Sequence, residues 1–410
     1  MASGINAVVG QSGGPTAVIN QSLVGVIEEL YQQKSVGKIL GAKHGVRGII
    51  NGDFIDLNNL ESGLLEQVAQ TPSSALGSTR DKPDEAYCQK IFESFRKHSV
   101  GYFYYIGGND SADTARIVSE MAVSSGYPLR VYHVPKTIDN DLRTTDHCPG
   151  YGSAGRFVAL ALMGDDLDNR SLKGVKIDVI MGRDAGWLTA SSVLARHDEQ
   201  DGPHLIYVPE VDFNEDKFLG DVDRIYTKLG RCVVAVSEGI RYKAGDKNSL
   251  VTEKAMQGGE VDAHGNKQLS GSGALGDYLS DLVKNKLGAI IQQRSGAKLR
   301  VRADTFGYLQ RSFPGIVSQS DAHEARQCGR MAVKYSMAAL EGLISGSVAI
   351  KRLSDSPYQV DYFPTALTNV ARQTKHLDPT WVKNGCDIST EYVRYAKGLV
   401  GPLPIPGKLY

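Results

Sequence analysis

Apolar and polar positions alternate along this chain as short apolar runs, glycine-rich turns and longer amphipathic stretches. Four apolar runs are followed within three residues by glycine, in the segments NAVVGQSGG, YYIGGND, VIMGRDAG and VAVSEGI. Stretches with helical length and period lie between such runs, at 16–33, 85–98 and 153–170. Strands that alternate with amphipathic helices are typical of a parallel α/β protein. In open sheets of this kind, ligands bind beyond the carboxyl ends of the strands, which is where these glycines fall.

The length of 410 residues exceeds the usual size of a single hydrophobic core, so we expect two domains. The first is predicted at 1–145, completed by a later segment near 300–350. The second is predicted at 146–300, completed by part of 350–410. The polar segment 243–277 lacks sustained periodicity and is predicted to be a surface insertion, and the Pro/Gly-rich end at 401–410 an irregular tail.

The composition argues against several classes of partner. Lys and Arg together number 46, as do Asp and Glu, and the chain has no basic run of the kind that binds nucleic acid. No apolar stretch approaches the roughly 18 residues of a membrane span, and no signal peptide is evident at the N-terminus. We therefore expect small-molecule substrates. The cysteines are odd in number and without a CxxC pair, which indicates reduced thiols in a cytoplasmic protein: Cys88, Cys148, Cys232, Cys328 and Cys386.

The first candidate site is the segment Gly10-Gln11-Ser12-Gly13-Gly14-Pro15-Thr16, which follows a predicted strand at 5–9. Backbone N–H groups on glycines before a helix N-terminus form an anion-binding site. The GK[ST] ending of a Walker A loop is missing. Taken alone, the segment is equally well explained as a tight turn from strand to helix.

The second candidate is Ile106-Gly107-Gly108-Asn109-Asp110-Ser111, after the aromatic strand GYFYYI and before a helix predicted to open at Ser111. The two glycines permit close approach of a phosphate, and an oxygen-bearing side chain at this turn can reach a magnesium ion. The alternative is an ordinary turn in which Asp110 or Ser111 caps the helix.

The third candidate is Pro135-Lys136-Thr137-Ile138-Asp139-Asn140-Asp141, which follows the apolar run LRVYHV. A lysine, a hydroxyl and two carboxylates within six residues supply a cation, a candidate base and metal-binding oxygens. A polar surface turn is the alternative, but it explains less well this density of charge directly after a buried strand.

Together these segments resemble the phosphofructokinase family, and three further segments extend the resemblance: VIMGRDAGWL at 179–188, AVSEGI at 235–240 and RVRADTFGYLQRSFP at 300–314. The resemblance implies two Rossmann-like α/β domains of largely parallel sheet flanked by helices, with an active site in the cleft between them. It also implies phosphorylation of fructose 6-phosphate at the 1-hydroxyl, in glycolysis or gluconeogenesis, with Mg²⁺ as cofactor. Some sugar-binding arginines of the family cross a subunit boundary, so we expect a homodimer or larger homo-oligomer.

The resemblance assigns a role to each matching residue. Asp139 is the expected base, and Lys136, Asp110 and Arg183 complete the expected catalytic set. The residues expected to bind diphosphate are Gly13, Arg80, Asp110 and Lys136. The residues expected to bind fructose 6-phosphate are Thr137, Ile138, Asp139, Met181, Gly182, Arg183, Glu238, Arg302, Tyr308 and Arg311, with Arg302 acting from a second subunit.

Three positions depart from the family pattern. Asn109 stands where most members carry a metal-binding aspartate, so Asp110 or Asp141 is an alternative ligand to Asn109 for Mg²⁺. Tyr308 stands where many relatives that use ATP have histidine. The second arginine that crosses between subunits has no clear match, and Lys173 or Lys176 is a candidate substitute.

Asp110 and Lys136 also decide the expected phosphoryl donor. Relatives that use ATP have glycine at both positions. An acidic side chain at 110 would occupy and repel the region of the nucleotide's inner phosphate and ribose, whereas Lys136 would supply a cation to two remaining phosphates. We therefore expect inorganic diphosphate as donor and a reversible reaction. The alternatives are an ATP-dependent 6-phosphofructokinase and a catalytically impaired regulatory subunit of the same family.

Overall fold

The computed structural model describes residues 4–246, 248–255, 272–338 and 342–409. Its strands, in chain order, are β1 Ile5–Gln11, β2 Val36–Ala42, β3 Phe54–Asp56, β4 Val100–Gly107, β5 Arg130–Pro135, β6 Gly174–Ile180, β7 Leu205–Tyr207, β8 Arg231–Ser237, β9 Val301–Thr305, β10 Gly346–Asp355, β11 Tyr358–Thr365, β12 Val382–Lys383 and β13 Asp387–Ile388.

The α-helices, in the same order, are α1 Ile19–Tyr31, α2 Val46–Asn51, α3 Ser62–Gln70, α4 Glu85–Lys97, α5 Asn109–Ser124, α6 Tyr151–Leu172, α7 Trp187–Ala190, α8 Glu215–Leu229, α9 Val251–Ala255, α10 Ala274–Ser295, α11 Gln319–Ala338 and α12 Thr390–Val400. Among the described helices, none combines the length and the apolar composition needed to cross a membrane.

The chain forms two compact units. Unit 1 comprises Met1–Ser153 and Arg311–Lys375, and unit 2 comprises Ala154–Gln310 and His376–Tyr410. Each unit therefore combines a long N-terminal segment with a shorter segment from later in the chain.

Unit 1 contains a seven-stranded sheet with the order β11-β10-β5-β4-β1-β2-β3. The five central strands pair in parallel, and an antiparallel strand closes each edge. Every residue of the central strand β4 is buried. Its side chains alternate between faces, because Tyr102 and Tyr104 join one hydrophobic cluster while Phe103 and Tyr105 join the other. A strand covered on both faces by apolar clusters explains the continuous aromatic run in the sequence.

Unit 2 contains a four-stranded, wholly parallel sheet with the order β7-β8-β6-β9. All residues of β6 and β8 are buried. Both units are thus α/β structures built on largely parallel sheets, which confirms the predicted fold class.

The three helices predicted from periodicity are present as α1, α4 and α6. The helix predicted to open at Ser111 begins two residues earlier, at Asn109. Residues 401–409 contain no helix or strand, as predicted for the tail. Part of the predicted insertion, at 256–271, lies outside the described residues.

Candidate active site

Three loops of unit 1 begin at one edge of its sheet. In the parallel register Gln11 lies opposite Ile106, and Gly107 lies opposite Pro135, so β1, β4 and β5 end side by side. The segments after these strands are the glycine loop (residues 12–16), the start of α5 and the lysine loop (residues 136–141). The strand order therefore brings together the three segments that the sequence marked as candidates.

The glycine loop is fixed by backbone conformation and by hydrogen bonds. Gly13 has φ of 74°, a left-handed conformation that side chains disfavour. Its N–H donates to the carbonyl oxygen of Thr79 at 2.9 Å, and Ser78 Oγ donates to the Gly13 carbonyl at 2.6 Å. The N–H of Gly13, which was expected to bind the donor phosphate, is therefore engaged within the protein.

Two cations lie against the glycine loop. Lys136 Nζ donates a hydrogen bond to the Gly14 carbonyl oxygen at 2.7 Å. A Cβ atom added to Gly13 would lie 3.1 Å from Lys136 Nζ, and one added to Gly14 would lie 3.1 Å from Arg311 Cζ. The absence of side chains at both positions lets the ammonium and the guanidinium approach the loop backbone, and this pair of charges suits an anion with several phosphate oxygens.

Lys136 is buried, with 3% of the residue exposed. Burial lowers its pKa to about 8, and the nearby charge of Arg311 acts in the same direction. The carboxylates of Asp139 and Asp141 oppose this shift. A buried ammonium with a lowered pKa is one that an arriving anion would stabilise.

The lysine loop is held in place at several points. The Asp139 N–H donates to Thr137 Oγ1 at 3.1 Å, and the Cys148 N–H donates to Asn140 Oδ1 at 3.0 Å. Asn140 has φ of 54°, a conformation that asparagine tolerates better than most residues. The loop is therefore fixed around Asp139 by its own side chains, while the neighbouring Ile138 is buried.

Asn109, the first residue of α5, lies beside Asp141. Its Nδ2 is 3.4 Å from Asp141 Oδ2, and its Oδ1 is buried without a hydrogen-bond donor from any residue that the structure describes. The amide oxygen of Asn109 and the carboxylate of the neighbouring Asp141 are both hard oxygen donors of the kind that magnesium prefers. The residues present therefore fit a magnesium ion.

Asp110 and Arg80 are both exposed at this part of unit 1. The Asp110 carboxylate forms an ion pair with Lys82, with Nζ and Oδ1 separated by 3.3 Å. Arg80 acts at longer range, as one of the positive charges that lower the pKa of Lys136. Asp110 thus places a solvent-accessible carboxylate in the first turn of α5.

In unit 2, two loops meet beyond the carboxyl ends of β6 and β8. The Gly182 N–H points at Glu238 Oε1, 3.4 Å away, and Ser237 Oγ donates to the Gly182 carbonyl at 2.6 Å. Gly182 has φ of 141°. Glu238 is buried, and Met181 is also buried. The structure thus brings together the methionine, glycine and glutamate that the sequence assigned to the sugar.

The residues expected to bind the 6-phosphate have different locations. Arg302 and Tyr308 belong to unit 2, whereas Arg311 belongs to unit 1, where it lies against Gly14. Arg302 pairs with Lys176 in the sheet. Met181 follows Lys176 by five residues, which at a rise of about 3.3 Å per residue places it about 16 Å further along the strand. Within unit 2, Arg302 is therefore remote from Met181, and its guanidinium pairs with Asp168 at 3.1 Å.

Lys176 does not suit the role of a cation that reaches another subunit. Its side chain is 9% exposed, and its ammonium forms ion pairs with three carboxylates, those of Asp165, Asp178 and Asp304. These carboxylates form the one group among the described residues whose acidic atoms lie within 4.8 Å of one another in a metal-like arrangement. Because Lys176 already neutralises part of their charge, the group is explained as an ion-pair cluster.

Two residues near the candidate loops were not marked by the sequence. Gln310 Oε1 is 3.4 Å from the Met181 N–H, and buried His133 contacts the Gly107 carbonyl oxygen and Ser347 Oγ, both at 2.8 Å. Burial lowers the pKa of His133 to about 4, so this ring is neutral. The position of His133 in an apolar strand gave no signal, whereas Gln310 lies inside a segment that the sequence had already singled out.

The comparison with known proteins points to one family. The family model described as phosphofructokinase matches residues 6–336. The pyrophosphate–fructose 6-phosphate 1-phosphotransferase of Rhodospirillum rubrum is 52% identical over 96% of this chain and 94% of its own length. The enzyme of the same name from Xanthomonas campestris is 37% identical over 98% of this chain and 93% of its own length. A crystal structure of a pyrophosphate-dependent phosphofructokinase from Marinobacter aquaeolei matches with a TM-score of 0.82 and 33% identity, over 98% of this chain and 93% of the other.

Proposed function

Because the chain belongs to the phosphofructokinase family, we propose that it transfers a phosphoryl group from inorganic diphosphate to the 1-hydroxyl of D-fructose 6-phosphate. The products are D-fructose 1,6-bisphosphate and phosphate, and the reaction runs in both directions. The names of the relatives that are 52% and 37% identical support this assignment. The structural observation that supports this assignment most directly is the hydrogen bond from the buried ammonium of Lys136 to the Gly14 carbonyl oxygen.

Diphosphate binds to the cations beside the glycine loop in this proposal. Lys136 and Arg311 supply the charge, and Gly13 and Gly14 leave room for the phosphate oxygens. The resemblance assigned Arg311 to fructose 6-phosphate; we reassign it to diphosphate because its guanidinium lies against Gly14. Arg80 adds a positive charge nearby. Since phosphoryl transfer requires little covalent help from the protein, placing charge around the transferred group is the main contribution of these residues.

Asp110 and Lys136 select diphosphate over ATP. Lys136 supplies a cation at the two phosphates that diphosphate presents. The Asp110 carboxylate, exposed in the first turn of α5, repels the additional phosphate and sterically opposes the ribose of a nucleotide. Its ion pair with Lys82 fixes that carboxylate but lies at the surface, where such pairs are weak.

Asp139 acts as the general base. A carboxylate within hydrogen-bonding reach of the 1-hydroxyl accepts its proton as the oxygen attacks the terminal phosphoryl group. The bond from the Asp139 N–H to Thr137 Oγ1 and the burial of Ile138 support this role, because they fix the backbone that carries the carboxylate.

Asn109 Oδ1 and Asp141 are the proposed ligands of Mg²⁺. When bound, the ion neutralises charge on the phosphate oxygens. The buried oxygen of Asn109, which lacks a donor among the described residues, supports this assignment more directly than the exposed carboxylate of Asp110 does.

Met181, Gly182, Arg183 and Glu238 hold the sugar phosphate. Glu238 accepts hydrogen bonds from sugar hydroxyls, since a carboxylate is an acceptor only. Tyr308, 45% exposed, contributes a phenol. Arg302 binds the sugar phosphate held by a second copy of the chain. The distance between Arg302 and Met181 within one unit supports this role. The active form is therefore a homodimer or a larger homo-oligomer.

Phosphorus NMR of the purified chain tests this function. With fructose 6-phosphate, diphosphate and Mg²⁺, signals of fructose 1,6-bisphosphate and phosphate should appear. With fructose 1,6-bisphosphate and phosphate, the signal of diphosphate should appear. Binding of both substrates without turnover in either direction would contradict the proposal and indicate a regulatory subunit.

A further inference from the structure

Arg241 connects the two loops proposed to bind the sugar. It follows β8 and is 4% exposed. One nitrogen of its guanidinium, Nη1, donates to the carbonyl oxygen of Arg183 at 2.8 Å and to that of Gly239 at 3.0 Å. The first carbonyl belongs to the loop after β6, and the second belongs to the loop after β8. A single buried cation therefore sets the distance between the loops.

The two loops are also in direct contact, so their spacing has little tolerance. A Cβ atom added to Gly239 would lie 2.1 Å from the Arg183 carbonyl oxygen, and Gly182 N–H points at Glu238. The positively charged guanidinium of Arg241 donates to both carbonyl oxygens and so offsets the electrostatic repulsion between them. Without Arg241, the carbonyl groups of Arg183 and Gly239 would lose this donor.

The backbone and the second nitrogen of Arg241 are fixed as well. The Phe213 N–H donates to the Arg241 carbonyl oxygen at 2.7 Å. Nη2 donates to Asp184 Oδ1 at 2.8 Å, in the residue after Arg183. The guanidinium thus uses two separate nitrogens for three acceptors, which the single ammonium of a lysine cannot reproduce in the same geometry.

The far end of the Arg183 loop has its own restraint. Glu210 Oε1 accepts hydrogen bonds from the N–H groups of Gly186 at 2.8 Å and Leu377 at 3.0 Å. His376 Nδ1 contacts the Asp184 carbonyl oxygen at 2.9 Å. Since this end is held by other groups, loss of Arg241 would release the beginning of the loop, next to Arg183, rather than unfold the loop as a whole.

We propose that Arg241 is a positioning residue that sets the separation of Arg183 and Glu238 and thereby the affinity for the sugar phosphate. The inference rests on the proposed function of those two loops. The contacts of Arg241 given above all lie within unit 2, whereas the residues proposed to bind diphosphate belong to unit 1. Its effect is therefore expected on one substrate and not on the other.

Arg231 provides a matched control. It lies at the opposite end of β8, is 5% exposed, and forms an ion pair with Asp166, while its Nη2 donates to the Gln200 carbonyl oxygen. Both arginines are buried, both bond to a carboxylate and a carbonyl, and both belong to unit 2. Only Arg241 bonds to the candidate sugar loops, so a general loss of stability would affect both variants alike.

The test compares Arg241→Lys with Arg231→Lys by calorimetric titration with fructose 6-phosphate alone, by steady-state kinetics and by thermal denaturation. For Arg241→Lys, the Kd and KM for fructose 6-phosphate should rise about tenfold to a hundredfold, the range for hydrogen bonds to a charged group, with the KM for diphosphate changed less than about twofold. Arg231→Lys should lower Tm without changing either KM. Equal effects on both KM values, or a fall in Tm alone for Arg241→Lys, would overturn the inference.

If Arg241→Lys does not fold, Asp184→Ala provides a second test, because Asp184 is exposed and its truncation removes the acceptor of the Nη2 hydrogen bond. We expect it to raise the Kd for fructose 6-phosphate about twofold to fivefold with an unchanged Tm. An unchanged Kd would count against the positioning role. Since the titration contains no donor, a wild-type chain that binds the sugar phosphate but fails to turn over would contradict the proposed function and not this inference.

Discussion

The ammonium of Lys136 and the carbonyl oxygen of Gly14 are joined by a hydrogen bond of 2.7 Å. The lysine comes from the loop after β5 and the glycine from the loop after β1, so this bond connects two segments that lie 122 positions apart in sequence. It places a buried charge at the backbone of a loop whose glycines leave space for a ligand. The charge of Lys136 therefore largely determines how this loop is expected to bind a phosphoryl donor.

Diphosphate affinity should depend on the protonation of Lys136. Burial lowers its pKa to about 8, below the ordinary value of 10.5. In the proposed function the protonated form of Lys136 binds diphosphate, so the affinity should be full below pH 8 and fall above it, by up to about tenfold per pH unit. Titration calorimetry with diphosphate between pH 7 and 9.5 measures this dependence.

Lys136→Arg is the control, because arginine stays charged throughout this range and diphosphate itself ionises identically in both titrations. Parallel pH profiles of diphosphate affinity for the two proteins would exclude Lys136 as the titrating group.

The lowered pKa of Lys136 also affects folding. Between about pH 8 and 10.5 the unfolded chain binds more protons at Lys136 than the folded chain does, so this residue makes the free energy of unfolding rise with pH in that window.

Asp139→Asn should remove most turnover while leaving binding intact. The amide cannot accept the proton of the 1-hydroxyl, so kcat should fall about 10²-fold to 10⁴-fold. The Kd for fructose 6-phosphate should change less than about twofold, because the amide preserves the size of the side chain and the backbone bond to Thr137. Single-turnover kinetics and calorimetry measure the two quantities. A kcat within a few fold of wild type would show that another group is the base.

Asn109→Asp should strengthen the response to Mg²⁺. The new carboxylate would lie beside Asp141, 3.4 Å from Asn109 Nδ2 in the present structure, and a divalent cation relieves the repulsion of two such charges. The Mg²⁺ concentration that gives half-maximal activity should fall several-fold, and Mg²⁺ should raise Tm more than in the wild type.

Asn214→Asp serves as the comparison, since Asn214 also stands at the start of a helix, α8, and accepts the Lys217 N–H. It should leave the Mg²⁺ dependence unchanged. A shift of the same size in both variants, or no shift for Asn109→Asp, would argue that Mg²⁺ is bound elsewhere.

Gly14→Ala should weaken diphosphate binding through Arg311. The added methyl group would lie 3.1 Å from Arg311 Cζ and 3.2 Å from its Nε, so the guanidinium must move away from the loop. We expect the KM for diphosphate to rise about tenfold, the loss of one charge-assisted contact. Gly63→Ala in α3, where the added methyl group meets nothing within 4 Å, should leave the KM for diphosphate unchanged. An unchanged KM for diphosphate in Gly14→Ala would mean that diphosphate binding does not require the Arg311 guanidinium to lie against Gly14.

The sequence predicted the loops better than the contacts that they make. Glycines after apolar runs located the ends of β1, β4 and β6, because strand ends and phosphate-binding turns have local sequence patterns. The position of Arg311 beside Gly14 depends on tertiary packing, and no local pattern records it. The same reason explains why the engaged N–H of Gly13 and the contacts of Arg241 were not anticipated.

Arg302 shows the same limit in a different way. It lies in a segment, 300–314, that resembles the family, but a local segment could not show that Arg302 pairs with Lys176 in the strand register, far from Met181. Lys176 appeared to be an available cation until the structure placed it among three aspartates. Ion pairs between distant segments are set by the fold and are not visible as motifs.

One kinetic comparison distinguishes diphosphate from ATP as the phosphoryl donor. The purified chain is assayed with saturating fructose 6-phosphate and matched free Mg²⁺, and kcat/KM is measured for diphosphate and for ATP. If Lys136 and Asp110 have the roles proposed for them, kcat/KM should be at least about 10³-fold higher for diphosphate, which corresponds to roughly 4 kcal/mol. A higher value for ATP would contradict the account.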